Sequence, residues 1–316
     1  MKMNKKKAAA GHSLRHSQGI ANDFRRNKSL YLMMLPVLAF YLMFFYMPMY
    51  GAIIAFKEYT PYKGIMGSSW VGLRHFQQFF SGPYFGTVLR NTLRISLTTL
   101  LVSFPAPILL ALLLNELHNT RYAKLVQNIT YMPHFISLVV ICGMIKTFTL
   151  DTGVVSTILS YFGFERTSLL IHPEYFLPVY VISDVWQSVG WGSIVYLAAL
   201  SGIDEGLYEA ARIDGAGRWR QTIHITLPGI LPTIVILLIL RVGNILNVGF
   251  EKIILLYNDS TSSVAEVIST YVYKKGLIEQ SWSFSTAVGL FNSVINFIFL
   301  IVTNYFSRRA TDVGLW

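Results

Sequence analysis

IDEGLYEAARIDGAGRWRQTIHITLPGILP, residues 203–232, is a polar island between two apolar runs. It reads as two short helices with a break between them. Asp204 is placed as an N-cap, where a carboxylate accepts from the backbone N–H groups that a first helical turn leaves free. Ile203 and Tyr208 stand at the positions of a hydrophobic staple. Leu207, Ala210 and Ala211 make a small apolar face. Asp214-Gly215 is a turn signal, and Gly215 supplies either a positive φ or a close backbone approach that a Cβ would forbid. Ile223, Ile225 and Leu227 lead the chain back into an apolar run that Pro228 can open, since a proline is tolerated in a first turn. On these residues alone the stretch is equally an ordinary amphipathic connection.

The runs on either side set the fold class. Hydrophobic residues make up 53% of the 316-residue chain and charged residues only 13%, and the mean hydropathy is +0.48. A soluble domain carries about 25% charged residues, so the deficit points to a surface that faces lipid. Six segments are long enough to span, at roughly 20 apolar residues each: about Leu30–Ile54, Thr92–Leu114, Val126–Phe148, Phe176–Leu200, Ile230–Val248 and Thr286–Phe306. The net charge of +10 is concentrated before the first of them, in Lys2, Lys5, Lys6, Lys7, Arg15, Arg25, Arg26 and Lys28. That placement is the positive-inside pattern of a cytoplasmic tail rather than a nucleic-acid footprint. The first apolar run is too long for a signal-peptide core and lacks a small-residue cleavage site, so it reads as a retained span. Arg121 and Lys124, then Arg212, Arg218 and Arg220, then Arg308 and Arg309 mark further inside segments.

The predicted architecture is therefore all-α and polytopic, six spans with both termini in the cytoplasm. It divides into a basic tail over 1–28, a transmembrane domain over 29–306 and a short tail over 307–316. Val154, Val155, Ile158, Leu159 and Phe162 predict a surface helix in the connection after the third segment. The single cysteine, Cys142, lies in an apolar segment and reads as a small hydrophobe. No G-x-x-x-x-G-K-[ST] phosphate loop occurs.

The spacing inside the polar island carries a resemblance. Glu209-Ala210-Ala211, three residues, Gly215, nine residues, then Ile225-Thr226-Leu227-Pro228 resembles the EAA loop, here 202–228, of permease subunits of binding-protein-dependent ABC importers. DVWQSVGWGSIVYLAAL, GFEKIILLYND, STYVYKKGL, the VGLRHF piece and the terminal Gly-Leu-Trp are similar to the polysaccharide and oligosaccharide (LplB-type) branch. The resemblance implies a type I permease fold in a bacterial cytoplasmic membrane, with Glu209, Ala210, Ala211, Asp214, Gly215, Ile225, Leu227 and Pro228 coupling the spans to an ATPase. It implies a homologous second permease, a heterodimer by this reading, together with two cytoplasmic ATPase subunits, an extracellular solute-binding protein and a sugar cargo. ATP and Mg would belong to the ATPase, leaving this chain with no cofactor, no metal and no catalytic residue.

Polar groups inside spans are costly and tend to face a bundle interior or a water-filled path. Asp184, Gln187 and Trp191 in the fourth segment, Asn244 and Asn247 in the fifth, Glu251 just beyond it, and Asn292 and Asn296 in the sixth are the candidates to line such a path. Sugars need hydrogen-bonding side chains and aromatic faces, which this set offers. The same residues serve equally as interhelical glue. Arg241 pairs with Asp184 or Glu251, marks an early end to its span, or binds an acidic sugar; the sequence does not choose. His134 and Lys146 read as structural. The rival readings are a permease for another small solute, an ion-coupled carrier, which would call for inverted repeats or broken helices, and a membrane-embedded enzyme, for which the acidic residues are too scattered.

Overall fold

The computed structural model describes residues 26–117 and 119–316; the basic tail expected over 1–28 lies almost wholly outside the described residues. Helix α1, Lys28–Phe56, is apolar on all sides and none of its most hydrophobic window is buried against the rest of the chain. A helix with no polar face needs lipid or another protein around it. The chain then forms a small hairpin, β1 (Lys57–Glu58) antiparallel to β2 (Ser69–Trp70), and helix α2, Arg74–Ser81. These pack over the start of the last helix, where the Tyr59 backbone N–H donates to Ser283 Oγ at 2.9 Å.

Helix α3, Phe85–Asn115, is interrupted at Phe104–Pro105, where the proline has no N–H to give to the ladder. The third expected span is two helices, α4 (Thr120–Phe135) and α5 (Leu138–Phe148), bent by 101° at their junction. Pro133 and the extended Ile136 (ψ 137°) account for the corner. Helix α6, Val154–Tyr161, is the surface helix that the connection's amphipathic pattern predicts. Helix α7, Pro173–Leu200, runs 28 residues, about 42 Å at 1.5 Å per residue, longer than a hydrocarbon core of about 30 Å. It is the central post, packed on both halves of α3, on α4 and on the helix entering from the polar island. Gly190 on α7 lies directly against the Thr130 and Tyr131 backbone of α4, where any Cβ would collide with the Thr130 carbonyl.

Helix α8, Glu205–Ile213, is followed by α9, Arg218–Val242. Pro228 does not open this second helix, contrary to its sequence reading. The helix begins at Arg218 and passes through a π turn at Thr222–Thr226 just before Leu227-Pro228. The same arrangement stands in α1, a π turn at Leu42–Tyr46 ahead of Pro48. In both, the wider turn adjusts the carbonyl ladder beside a residue that cannot continue it.

The fifth expected span ends sooner than its apolar run. Helix α9 stops at Val242, residues 243–249 are non-helical, and α10 (Phe250–Leu256) follows. Short helices α11 (Ser262–Ala265) and α12 (Ile268–Tyr273) lead to α13, Trp282–Thr311. Among the described residues, α1, α3, α9 and α13 are each long and apolar enough to cross a membrane, and the bent α4–α5 pair qualifies if counted as one span.

Three apolar clusters hold the bundle. One joins Ile95, Ile141, Ile145, Phe176, Tyr180, Ile253 and Leu256. A second joins Phe79, Val88, Leu246, Ile268 and Val288. The third joins Ala111, Tyr196, Leu200 and Ile230 beside the polar island.

Candidate functional site

The polar island is shaped by its own residues. Asp204 caps α8, its Oδ1 accepting from the Gly206 N–H at 2.9 Å. The other end closes in a Schellman motif: Ala216 N–H donates to Ala211 O at 2.8 Å and Gly215 N–H to Arg212 O at 3.1 Å. Gly215 sits at φ +75°, and a Cβ there would meet nothing within 4 Å. Of the two reasons the sequence offered for this glycine, the left-handed backbone is the one that operates. The island is tied to the bundle through Tyr208, whose hydroxyl lies 3.0 Å from the buried Thr226 Oγ1.

No residue of α8 is buried. Glu209, Ala210, Asp214 and Gly215 are exposed, and Ala211 is half-buried. Leu227 and Pro228 are exposed and Ile225 is half-buried. Leu207 is 52% exposed, Ile213 86% and Trp219 77%. Helix α8 thus combines the small residues Gly206, Ala210 and Ala211 with uncovered large apolar neighbours, a combination common at interaction surfaces. Ile213 and Trp219 were not singled out from the sequence. Their signal is a large apolar side chain inside a polar, basic stretch.

The span candidates converge around one carboxylate. Gln187 and Ser188 each stand three or four residues from both Asp184 and Trp191, and Tyr180 stands four before Asp184, so the five share one face of α7. Asp184 borders three adjoining cavities of about 200, 500 and 330 Å³. The first is walled by Ser96 and Thr99 of α3, by Arg241 and by Asn244 and Asn247 of the non-helical segment. The second adds Gln187, Glu251, Lys252 and Ser269. The third contains Ser103, His134, Ser188, Trp191 and Arg241, with the His134 ring stacked on Trp191 at 4.4 Å between centroids.

The asparagines divide. Asn244 and Asn247 are exposed on the non-helical segment, Asn247 Nδ2 donating to Asn244 Oδ1 at 3.3 Å. Asn292 Nδ2 donates to Asn247 Oδ1 at 2.6 Å, bracing that pair from α13. Asn296 is buried and borders none of these cavities; its Oδ1 accepts the Leu246 N–H at 3.0 Å. From α3, Ser96 donates to the Ile245 carbonyl. The break between α9 and α10 is thus pinned from two sides, which holds its backbone and its two asparagines against the cavities.

Two features escaped the sequence reading. Thr99 and Ser103 on α3 have buried hydroxyls with no partner among the described residues, and they face the cavities that Asp184 and Arg241 border. With Thr92 and Ser96 they form a hydroxyl stripe at three- and four-residue steps, legible as periodicity but hidden by the mild polarity of Ser and Thr. Lys252 is 4% exposed and its Nζ lies 3.9 Å from Asp184 Oδ1. Lys252, and not Arg241, is the ion partner of Asp184. The helix of Arg241 ends one residue later, so of the options left open, the early span end is seen. Further along the connection Lys274 holds Glu266 at 2.9 Å and Lys275 holds Glu279 at 2.6 Å. The Glu279 carboxylate keeps the Lys275 ammonium above the usual lysine range.

Residues 84–312 match the sequence profile of a family described as binding-protein-dependent transport system inner membrane component. Two proteins of Bacillus subtilis (strain 168) are similar along most of the chain. Protein LplB is 45% identical over 293 residues, 92% of this chain and 92% of its own length. The polygalacturonan/rhamnogalacturonan transport system permease protein YteP is 44% identical over 292 residues, 92% and 91% of the two chains. Among solved structures, a chain of a bacterial alginate ABC transporter, crystallised in complex with an alginate pentasaccharide-bound periplasmic protein, is 45% identical with a TM-score of 0.86. The match covers 93% of this chain and 99% of that one.

Proposed function

Because the chain belongs to the binding-protein-dependent transport system inner membrane components, we propose that it is the permease subunit of an ABC importer carrying an oligosaccharide or polysaccharide. The observation that carries this reading is α8: a helix capped at both ends, with no buried residue, whose C-terminal turn requires Gly215. A relative named for polygalacturonan/rhamnogalacturonan transport, matched over 92% of the chain, supports the cargo class.

In this reading the chain crosses a bacterial cytoplasmic membrane six times, with both termini inside and lipid around α1. An extracellular binding protein delivers the glycan to the outer mouth. A homologous second permease closes the other side of the path. Two cytoplasmic ATPase subunits, which bind ATP and Mg, receive α8 in a groove and move it as they close. The link from α8 through the Tyr208–Thr226 hydrogen bond into α9 passes that movement to the segment bearing Arg241, Asn244 and Asn247. Asp184, Gln187, Trp191 and Glu251 line the path against the sugar, and Asn292 and Asn296 brace it.

The test is to purify the tagged chain from its native membrane in mild detergent and to identify what accompanies it. Recovery of an ATPase and a second permease, with glycan-stimulated ATP hydrolysis, is the expected result. A chain recovered alone and active in uptake without ATP would replace this reading with an ion-coupled carrier.

A further inference from the structure

We propose that the outward face of α3 binds an anionic glycerophospholipid, its phosphate held by Arg90 and Arg94 and an acyl chain lying along Leu97 and Leu101. The proposal goes beyond the importer reading and needs only a chain that sits in a membrane.

Helix α3 has two unlike faces. Val88, Asn91, Thr92, Ile95, Ser96 and Thr99 are buried against the bundle. Opposite them Arg90, Arg94, Leu97 and Leu101 are all exposed, and steps of four, three and four residues set them in one stripe. Gly86, one turn before Arg90, opens onto free space, since a Cβ there would meet nothing within 4 Å. Neither guanidinium makes a hydrogen bond or ion pair among the described residues. Glu266, whose backbone carbonyl accepts from Asn91 Nδ2 at 3.1 Å, gives its carboxylate to Lys274 instead.

The depth of the pair follows from its neighbours on the buried face. Asn91 Nδ2 also donates to the Ser263 carbonyl at 2.9 Å, and the Ile268 N–H donates to Thr92 Oγ1 at 3.0 Å. This end of α3 therefore stands level with α11 and α12, which are too short to span. Tyr84 and Phe80 are exposed beside it, as aromatic side chains are at a membrane–water interface. Arg94 lies one turn deeper than Arg90, about 6 Å at 1.5 Å per residue, and its long side chain can bend back toward headgroups. A guanidinium turned to hydrocarbon is costly, and two like charges four residues apart repel. An anion held between them removes both costs, and phosphate oxygens match the paired donors of a guanidinium. A zwitterionic headgroup brings an ammonium beside two cations, so a net anionic one is favoured. A protein carboxylate would also satisfy the arginines. The order along the stripe, aromatic rings, then cations, then leucines, is the order of a phospholipid leaflet from interface to phosphate to chain.

The experiment takes the chain purified in mild detergent with whatever subunits accompany it, stripped of lipid. Phosphatidylglycerol and phosphatidylcholine of the same acyl composition are added, and bound lipid is counted by native mass spectrometry. Phosphatidylglycerol should bind about tenfold tighter than phosphatidylcholine. Arg90→Gln and Arg94→Gln should each remove most of that advantage and leave phosphatidylcholine binding unchanged. Arg74→Gln, at an exposed arginine already paired with Glu58 at 3.3 Å, should alter neither. On the unsubstituted protein, phosphatidylglycerol with a diazirine in its acyl chain should label residues 97–101 on illumination, and this measurement carries the test if the arginine variants do not accumulate. Equal binding of the two lipids, a preference untouched by both arginine variants, or labelling that misses α3 would each overturn the proposal. Loss of a second permease from Arg94→Gln with lipid binding intact would also overturn it, by assigning the pair to a protein interface. The importer reading stands or falls separately, on whether an ATPase copurifies.

Discussion

The polar island and the cavity around Asp184 are built in opposite ways. The bonds that cap α8 at its two ends join residues close in sequence: Asp204 to Gly206, Gly215 to Arg212, Ala216 to Ala211. The cavity is assembled from four distant stretches. Ser96 reaches Ile245, Asn296 reaches Leu246, Asn292 reaches Asn247, and Lys252 approaches Asp184. A locally determined element can stay rigid while it is exposed, which suits a part that must be gripped by another protein. A cavity determined by long-range contacts changes shape when its walls move, which suits a path that must open and close. If this division holds, damage to the island should spare the fold, and damage to the cavity's supports should not.

The largest effect is expected at Gly215. Replacement by Val forces a β-branched side chain into a left-handed backbone, where even an unbranched residue costs about 1–2 kcal/mol, and distorts the Schellman turn. Membrane abundance should stay near wild type while ATP-dependent uptake is lost. Normal uptake by Gly215→Val would remove the island from the coupling path.

Asp184→Asn should come next, and here stability should fall as well as transport. It leaves the buried Lys252 ammonium without a countercharge, for which buried pairs suggest about 3 kcal/mol. Thermal unfolding in detergent would report it. The double variant Asp184→Asn with Lys252→Met should recover much of the loss of stability and none of the transport. If Asp184→Asn unfolds at the wild-type temperature, the pair is not a support of the cavity.

Asn296→Ala should cost about 1–3 kcal/mol, because the Leu246 N–H is left buried without an acceptor. Asn244→Ala, at an exposed site on the same segment, should change stability by less than about 0.5 kcal/mol and show itself in substrate affinity. Similar melting of the two would erase the distinction between brace and wall. The smallest effect belongs to Asp204→Ala, about 1 kcal/mol of helix stability from a lost cap, visible as reduced ATPase recovery on copurification rather than in melting of the bundle.

The sequence made the island legible nearly residue by residue. Asp204, Gly215 and the small face at Ala210 and Ala211 announce a capped helix. Its one misreading, Pro228 as a helix start, arose because a π turn leaves no composition signal. Ile213 and Trp219 became conspicuous only when the structure left them uncovered.

Sequence by itself determined where the chain is apolar, where it is polar and which polar residues share a face of α7, because helical periodicity and capping act over a few neighbouring residues. Only the tertiary structure decided that the third expected span is a helix pair bent by 101°, that α9 stops at Val242, and that Lys252 rather than Arg241 meets Asp184. The physical reason is range. A broken helix end is affordable in an apolar setting only where distant side chains such as Ser96 and Asn296 take up the freed backbone groups, and no local pattern records where those distant partners come to rest.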